Sequence, residues 1–289
     1  MEKRKFGDRK DAKLLRDIDA MHFIMPLIYP NRCDNEAFIT ERIDLTKLNS
    51  FLEEKNFLSP EYKYNLFQVI VTAALKTVLL RPKMNRFIAN KNLYQRNDIT
   101  ASFVVKKVFA DDGGEGLAII KAEPDSNIDS IHNDIYKTVS TARHGKSSGS
   151  TEDSMNIFNK MPRFISKTLV SFVCFLDRHG KVPSSFIADD PYYQSLVLTN
   201  LGSLKLHSGY HHLTNWGTNS VFIAVGERKM RPFFDSDGNM TMKDSVDIGM
   251  TVDERIADGY YYSKTIKLLK TLIENPELLN NKLSEEVDI

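Results

Sequence analysis

The sequence predicts one mixed α/β domain with a large sheet, on three observations. Strand-like and helix-like stretches alternate along the chain without a regular βαβ rhythm. Within residues 246–273 (VDIGMTVDERIADGYYYSKTIKLLKTLI) the apolar period changes from two to that of a helix. The chain has 289 residues, 42% hydrophobic and 27% charged, which suits one large globular domain or two ordinary ones. The Gly- and Ser-rich stretch at 144–151 (HGKSSGST) is short and is read as a loop, not a domain boundary.

In chain order, residues 1–15 form a charged, weakly patterned arm. Residues 21–29 (MHFIMPLIY) are apolar, but Pro26 argues against a regular helix there. A strand is expected at 38–45, with Ile43 and Leu45 on one face, then a helix at 47–55 capped by Asp44 or Thr46. Residues 65–80 (NLFQVIVTAALKTVLL) are apolar nearly all round, the pattern of a helix buried on several sides, and Arg81-Pro82 ends it. Residues 83–89 connect to strands at 92–94 and 99–109, and an Asp-Gly-Gly turn at 111–116 leads to a returning strand at 117–122. A helix at 129–143 places Ile131, Ile135 and Val139 on one face. Strands follow at 195–200 and 219–226, then a turn at 235–239. Val246, Ile248, Met250 and Val252 next alternate with polar or small residues, as in a half-buried strand. Three carboxylates and an arginine fill the turn at 253–259, after which Tyr262, Ile266, Leu269 and Ile273 share a helical face that Lys264, Lys267 and Lys270 avoid. Pro276 stops that helix, and 281–289 are a tail.

Bulk properties exclude several classes. Net charge is +1, from 39 basic and 38 acidic side chains, so the basic excess of a nucleic-acid binder is missing. Cys33 and Cys174 lie far apart and offer neither a disulfide framework nor a metal signature; a reducing, cytoplasmic setting is the default. The basic N-terminal residues are not followed by the apolar run of a secretory signal. No apolar run reaches the roughly 18–20 residues of a membrane span. The nearest, Phe164 to Leu176 (FISKTLVSFVCFL), carries Ser166, Lys167 and Ser171. It reads either as a helix that is buried or covers a groove, or as a lid or hydrophobic patch for a membrane or partner.

Four motifs carry a family resemblance. Residues 253–259 (DERIADG) have the form of a D-H-R-x-x-D-G turn with glutamate in the second place. Thr199-Asn200-Leu201-Gly202 has the form of an S-N-L-G strand end, and 220–226 (SVFIAVG) that of the apolar strand ending in glycine that follows it. Residues 70–85 resemble a helix ending in R/H-P with an asparagine soon after. In their order and spacing, over residues 16–280, these resemble the catalytic domain of the dihydrolipoyl acyltransferases of 2-oxo acid dehydrogenase complexes, and the similarly folded chloramphenicol acetyltransferases. The resemblance implies a two-layer α/β sandwich with a mixed sheet, a coenzyme A thioester as acyl donor, no metal, and a homotrimer with its sites in channels between subunits. It also implies that the turn's histidine is the general base, that a hydroxyl at the strand end donates to the oxyanion, and that the turn's later aspartate is structural. Carried over, Thr199 is the hydroxyl donor and Arg255, Asp258 and Gly259 are structural residues of the turn. Glu254 stands where the base belongs, and a positioned base is worth roughly 10²–10⁴-fold in rate. The residues ahead of the resemblance are too few for a lipoyl or subunit-binding domain, which implies a freestanding acyltransferase-like protein.

Each candidate has a plainer alternative. Glu254 is either a base tuned by burial or a carboxylate paired with Arg255 or another nearby cation to hold the turn. His211 and His212 (in GYHHLTNWGT) are candidates to replace the missing imidazole. Neighbours on an extended chain point opposite ways, so at most one should face a given site, and either can be merely structural. No third ligand accompanies them, so a metal site is not indicated. Thr199 is an oxyanion donor or simply a β-branched strand residue. Asn200, Asn215 and Trp216 are candidates to line a substrate pocket, with core packing the alternative for Trp216. The glycines at 113–116 lack the strand–G-x-G-x-x-G–helix context of a nucleotide site. Two functions remain: a CoA-dependent acyltransferase using Glu254, His211 or His212 as base towards an unknown acceptor, or a catalytically inactive relative that binds a CoA ester or a protein partner. Joint retention of Thr199, Asp258 and Gly259 favours the enzyme.

Overall fold

One long strand, β10 (Met240–Asp253), is the axis of the chain in the computed structural model, which describes residues 4–57, 59–106, 115–144, 160–183 and 187–288. The other strands are β1 (Ala12–Leu14), β2 (Glu36–Asp44), β3 (Arg86–Ala89), β4 (Asn92–Arg96), β5 (Ile99–Lys106), β6 (Glu115–Ala122), β7 (Leu196–Asn200), β8 (Val221–Val225) and β9 (Lys229–Phe234). The helices are α1 (Ala20–Ile28), α2 (Thr46–Asn56), α3 (Leu66–Leu80), α4 (Ile128–His144), α5 (Arg163–Arg178) and α6 (Gly259–Glu274).

The main sheet runs β2-β10-β8-β7-β5-β6, with β9 attached to β10. It is mixed, because β7 lies parallel to both β5 and β8 while the other pairs are antiparallel. Val246, Ile248, Met250 and Val252 turn into the core beneath α2, α3, α4 and α6, so the alternation in sequence reports one helix-covered face. All five residues of β8 are buried, as befits a strand covered on both faces. Helix α3 is buried nearly all round; it begins with a capping box between Asn65 and Gln68. A small sheet, β1-β4-β3, stands apart with its own cluster of Ala12, Phe87, Ala89 and Tyr94. This is the expected two-layer α/β architecture.

The structure corrects several expectations. The N-terminal arm, read as charged and weakly patterned, carries a strand: Ala12–Leu14 pairs with β4, and Arg9 is buried against Asp11 and Asp177. Pro26 lies inside α1: the helix is capped by Asp19 and ends soon after the proline, so only one turn-closing bond is lost. Residues 86–89, read as connection, form β3. The tail is docked: Leu283 is fully buried, its N–H donates to the Ser126 carbonyl at 2.8 Å, and the buried Lys76 donates to the Lys282 carbonyl at 2.8 Å. Most of the turn at 111–116 and of the loop at 144–151 falls outside the described residues.

Helix α5 departs furthest from the buried reading. None of its residues is buried, and Phe164, Phe172 and Phe175 are 73%, 55% and 56% exposed. An apolar period announces a face; it does not say what covers it, and among the described residues nothing does. Helix α1 likewise exposes Met21, Phe23 and Ile28. Among the described residues no helix is long and apolar enough to cross a membrane.

Candidate active site

The turn after β10 is held by a buried ion pair. Asp253 and Arg255 point inward and bond to each other through Nε–Oδ1 at 2.8 Å and Nη2–Oδ2 at 2.7 Å, both side chains sealed from solvent. Glu254, between them, points out and is exposed. Its backbone N–H donates to the Asn35 carbonyl at 2.9 Å, while its carboxylate makes no ion pair or hydrogen bond among the described residues. The alternative in which Glu254 pairs with Arg255 is therefore overturned: in the turn beyond the end of β10 the Arg255 fork is taken up by Asp253, and Glu254 faces away from it. Asp258 caps α6 by accepting from the Tyr261 N–H at 2.8 Å, and Lys83 Nζ lies 3.8 Å from it. Those contacts hold its carboxyl below the usual carboxylate range. Gly259 opens α6, and nothing lies within 4 Å of where its Cβ would be.

Thr199 and Asn200 end β7 and sit at the other end of the sheet. Both line a cavity of about 580 Å³ that is closed by the N-terminus of α3, the end of β5, and Ile135 and Val139 of α4. Asn200 Oδ1 accepts from the Ser203 N–H at 3.1 Å; the half-buried Thr199 hydroxyl has no hydrogen-bond partner among the described residues. The register gives the separation. Thr199 pairs with Ala224 of β8, Val221 of β8 pairs with Val252 of β10, and Glu254 lies two residues beyond. That is roughly 16 Å along the sheet at about 3.3 Å per residue. One chain does not bring Glu254 and Thr199 together.

The remaining candidates fall elsewhere. His211 stacks on Phe222 with ring centroids 4.2 Å apart, on the sheet face away from the helices. The rings of His211 and His212 also stack on each other, at 4.8 Å, so the expectation that they point opposite ways fails: this segment is a loop, not an extended strand. Asn215 and Trp216 lie at the Glu254 end. Asn215 Oδ1 accepts from the Arg32 N–H at 2.8 Å and Trp216 Nε1 donates to Asp190 at 2.7 Å. Burial pushes the Asp190 carboxyl up, and Trp216 partly offsets this.

Sequence reasoning missed Arg32, a buried residue whose Nε lies 3.7 Å from Asp253 and whose other nitrogens donate to the carbonyls of Thr214, Gly217 and Ile88. Burial pulls this guanidinium below its ordinary range; Asp253 opposes the shift and Arg255 adds to it. Nothing in the local sequence PNRCDN signals such a role.

The structure does account for the two motif glycines. A Cβ on Gly202 would strike the Gly226 carbonyl oxygen, and one on Gly226 would strike the Ser208 nitrogen and lie 3.0 Å from the Asp247 carbonyl oxygen. The strand-end motif and the glycine ending the next strand are thus one backbone-to-backbone contact beside Thr199. Gly202→Ala should lower stability by about 1–3 kcal/mol, the ordinary cost of overpacking, measured by thermal unfolding.

The fold is of the chloramphenicol acetyltransferase-like type. Residues 188–280 match the profile of the 2-oxoacid dehydrogenases acyltransferase (catalytic domain) family. Among solved structures, a probable dihydrolipoamide acetyltransferase from Listeria monocytogenes is 16% identical, with a TM-score of 0.57 over 95% of this chain and 97% of its own. The dihydrolipoamide acetyltransferase of Azotobacter vinelandii, whose catalytic mechanism was investigated through a serine, a histidine and an asparagine, is 14% identical, with a TM-score of 0.59 over 92% and 94%. A chloramphenicol acetyltransferase is 12% identical, with a TM-score of 0.52 over 91% and 98%. No curated protein matches the sequence. The resemblance carried by the four motifs thus extends to the fold of nearly the whole chain.

Proposed function

We propose that this protein is a CoA-dependent acyltransferase whose site forms between copies of a homotrimer, with Thr199 of one copy facing Glu254 of the next. The observation that carries the reading is a pair of groups without a protein partner among the described residues: a Thr199 hydroxyl on a ligand-sized cavity, and a Glu254 carboxylate roughly 16 Å away along the strand direction. A head-to-tail cyclic assembly joins opposite ends of neighbouring chains, as such a site requires. The histidine and asparagine named for the Azotobacter enzyme are four positions apart, the spacing of Glu254 and Asp258 here.

In this reading the Glu254 carboxylate takes the proton of the acceptor's nucleophile as that atom attacks the thioester carbonyl. The Thr199 hydroxyl donates to the resulting oxyanion. Collapse of the tetrahedral species breaks the carbon–sulfur bond, and the departing CoA thiolate takes the proton back from Glu254. His211, stacked on Phe222, is left a structural part, and His212 stays beside it. Asp258 positions the turn as the cap of α6.

A second reading, binding of a CoA ester without transfer, is favoured by one observation: among the described residues of a single chain nothing desolvates Glu254. Release of free CoA thiol from acetyl-CoA, with amine, hydroxyl and dithiol acceptors, separates the two. Transfer should occur and fall roughly 10²–10³-fold in Thr199→Ala, the usual loss of an oxyanion donor. Calorimetric binding of acetyl-CoA with no thiol release for any acceptor would establish the second reading instead.

A further inference from the structure

A second cavity, of about 120 Å³, opens where the exit of α1, the β3–β4 hairpin, the end of α5 and residues 215 and 217 meet. Its floor is two buried arginines, Arg32 and Arg255, only 5% and 2% exposed. Arg178 and Asn90 stand exposed at its rim, and their side chains make no hydrogen bond or ion pair among the described residues.

One buried arginine here lacks a close counter-charge. Arg255 takes both oxygens of Asp253, so Arg32 shares that carboxylate only at 3.7 Å, and its Nε has no hydrogen bond although it is shut off from solvent. Asp177, which also lines the cavity, is bonded to Arg9 at 2.9 Å, and Arg9 is bonded to Asp11 at 2.9 Å. Among the described residues, Arg9 thus takes Asp11 and Asp177 and Arg255 takes Asp253, which leaves the buried Arg32 without a carboxylate in hydrogen-bond contact and the exposed Arg178 without a partner at the rim. A buried cation short of a counter-charge is costly, and a ligand that supplies the charge recovers that cost. Guanidinium groups present forked N–H donors that match the paired oxygens of carboxylate and phosphate.

We propose that this cavity binds a small oxyanion, a phosphate or a carboxylate, between Arg178 at the rim and the Arg32–Arg255 floor. The cavity is well under the size of pockets that enclose whole cofactors, so the ligand is a free ion or one terminal group of a larger molecule. The proposal stands apart from acyl transfer, and its test uses no acyl donor.

The full chain would be titrated with inorganic phosphate and, separately, with malonate, against sodium chloride at matched ionic strength, by calorimetry and by thermal unfolding. One of the two should give saturable one-site binding and a rise in melting temperature, and which one does so identifies the oxyanion. Arg178→Ala should weaken that binding roughly tenfold, the loss of one charge-assisted contact, and Asn90→Ala should weaken it less. Arg178 is exposed on α5, so Arg178→Ala should melt near the wild-type temperature without the anion, whereas Asn90, at φ 46°, loses some stability as alanine and is compared by binding alone. Absence of saturable binding by either anion, or binding unchanged in both variants, would overturn the proposal.

Discussion

Mixing Glu254→Gln chains with Thr199→Ala chains should restore acyl transfer that neither has alone. Each variant by itself loses one half of every site: the base, worth roughly 10²–10⁴-fold, or the oxyanion donor, worth roughly 10²–10³-fold. In a mixed cyclic trimer, a site is intact where a Thr199→Ala chain contributes its Glu254 to a Glu254→Gln chain that still has Thr199. Random assembly from equal amounts makes roughly one site in four intact, so activity should return to about a quarter of wild type. Neither parent can complete a site within one chain, because the pairing of β7, β8 and β10 holds the two residues at opposite ends of one sheet. Co-refolded mixtures would be assayed by thiol release beside each parent and a Glu254→His chain, which should retain transfer if residue 254 is the base. A mixture as inactive as its parents would remove the shared site.

How much of this was readable in the sequence depended on whether the signal was local. The strand and helix on either side of residues 253–259 showed in their periods because one face of each is buried. Lys229–Phe234 did not show: it carries Pro232, which a strand tolerates only at an edge, and it pairs with β10 alone. The exposure of α5 was invisible for another reason, since periodicity reports an apolar stripe regardless of its cover. The candidates of the site were legible as motifs, but their grouping was not. Thr199 and Glu254 are separated by strand pairings far apart in sequence, and Arg32 reaches Asp253 from 221 positions away. The Asp253–Arg255 pair was hidden as well: the sequence suggested Glu254 as the partner of Arg255, and residues 254 and 255 lie in a turn beyond the end of β10, where the alternation of the strand no longer applies.

That pair should dominate the stability of the turn. Arg255→Ala should cost about 3–5 kcal/mol, because it leaves Asp253 charged, buried and without its bidentate partner. What would remain around the carboxylate is the residue 255 backbone N–H at 3.2 Å and Arg32 Nε at 3.7 Å, neither a substitute for the lost fork. The substitution also removes the bond from Arg255 Nη1 to the Tyr29 carbonyl at 2.8 Å, which ties the turn to the end of α1. Arg255→Lys should recover only part of the loss, since an ammonium is one point charge where a planar fork meets two oxygens. For a chain of this size the alanine variant should melt roughly 6–15 °C lower in scanning calorimetry. Asp253→Asn combined with Arg255→Met should be less destabilised than the sum of the two single changes, with a coupling of roughly 1–3 kcal/mol. The consequence for chemistry follows from position: Glu254 projects outward because the residues on either side of it are locked inward. Below its melting temperature, Arg255→Lys should therefore lose transfer while still binding acetyl-CoA at the Thr199 cavity. An Arg255→Ala chain that melts within about 2 °C of wild type would show that the turn is held by something other than this pair.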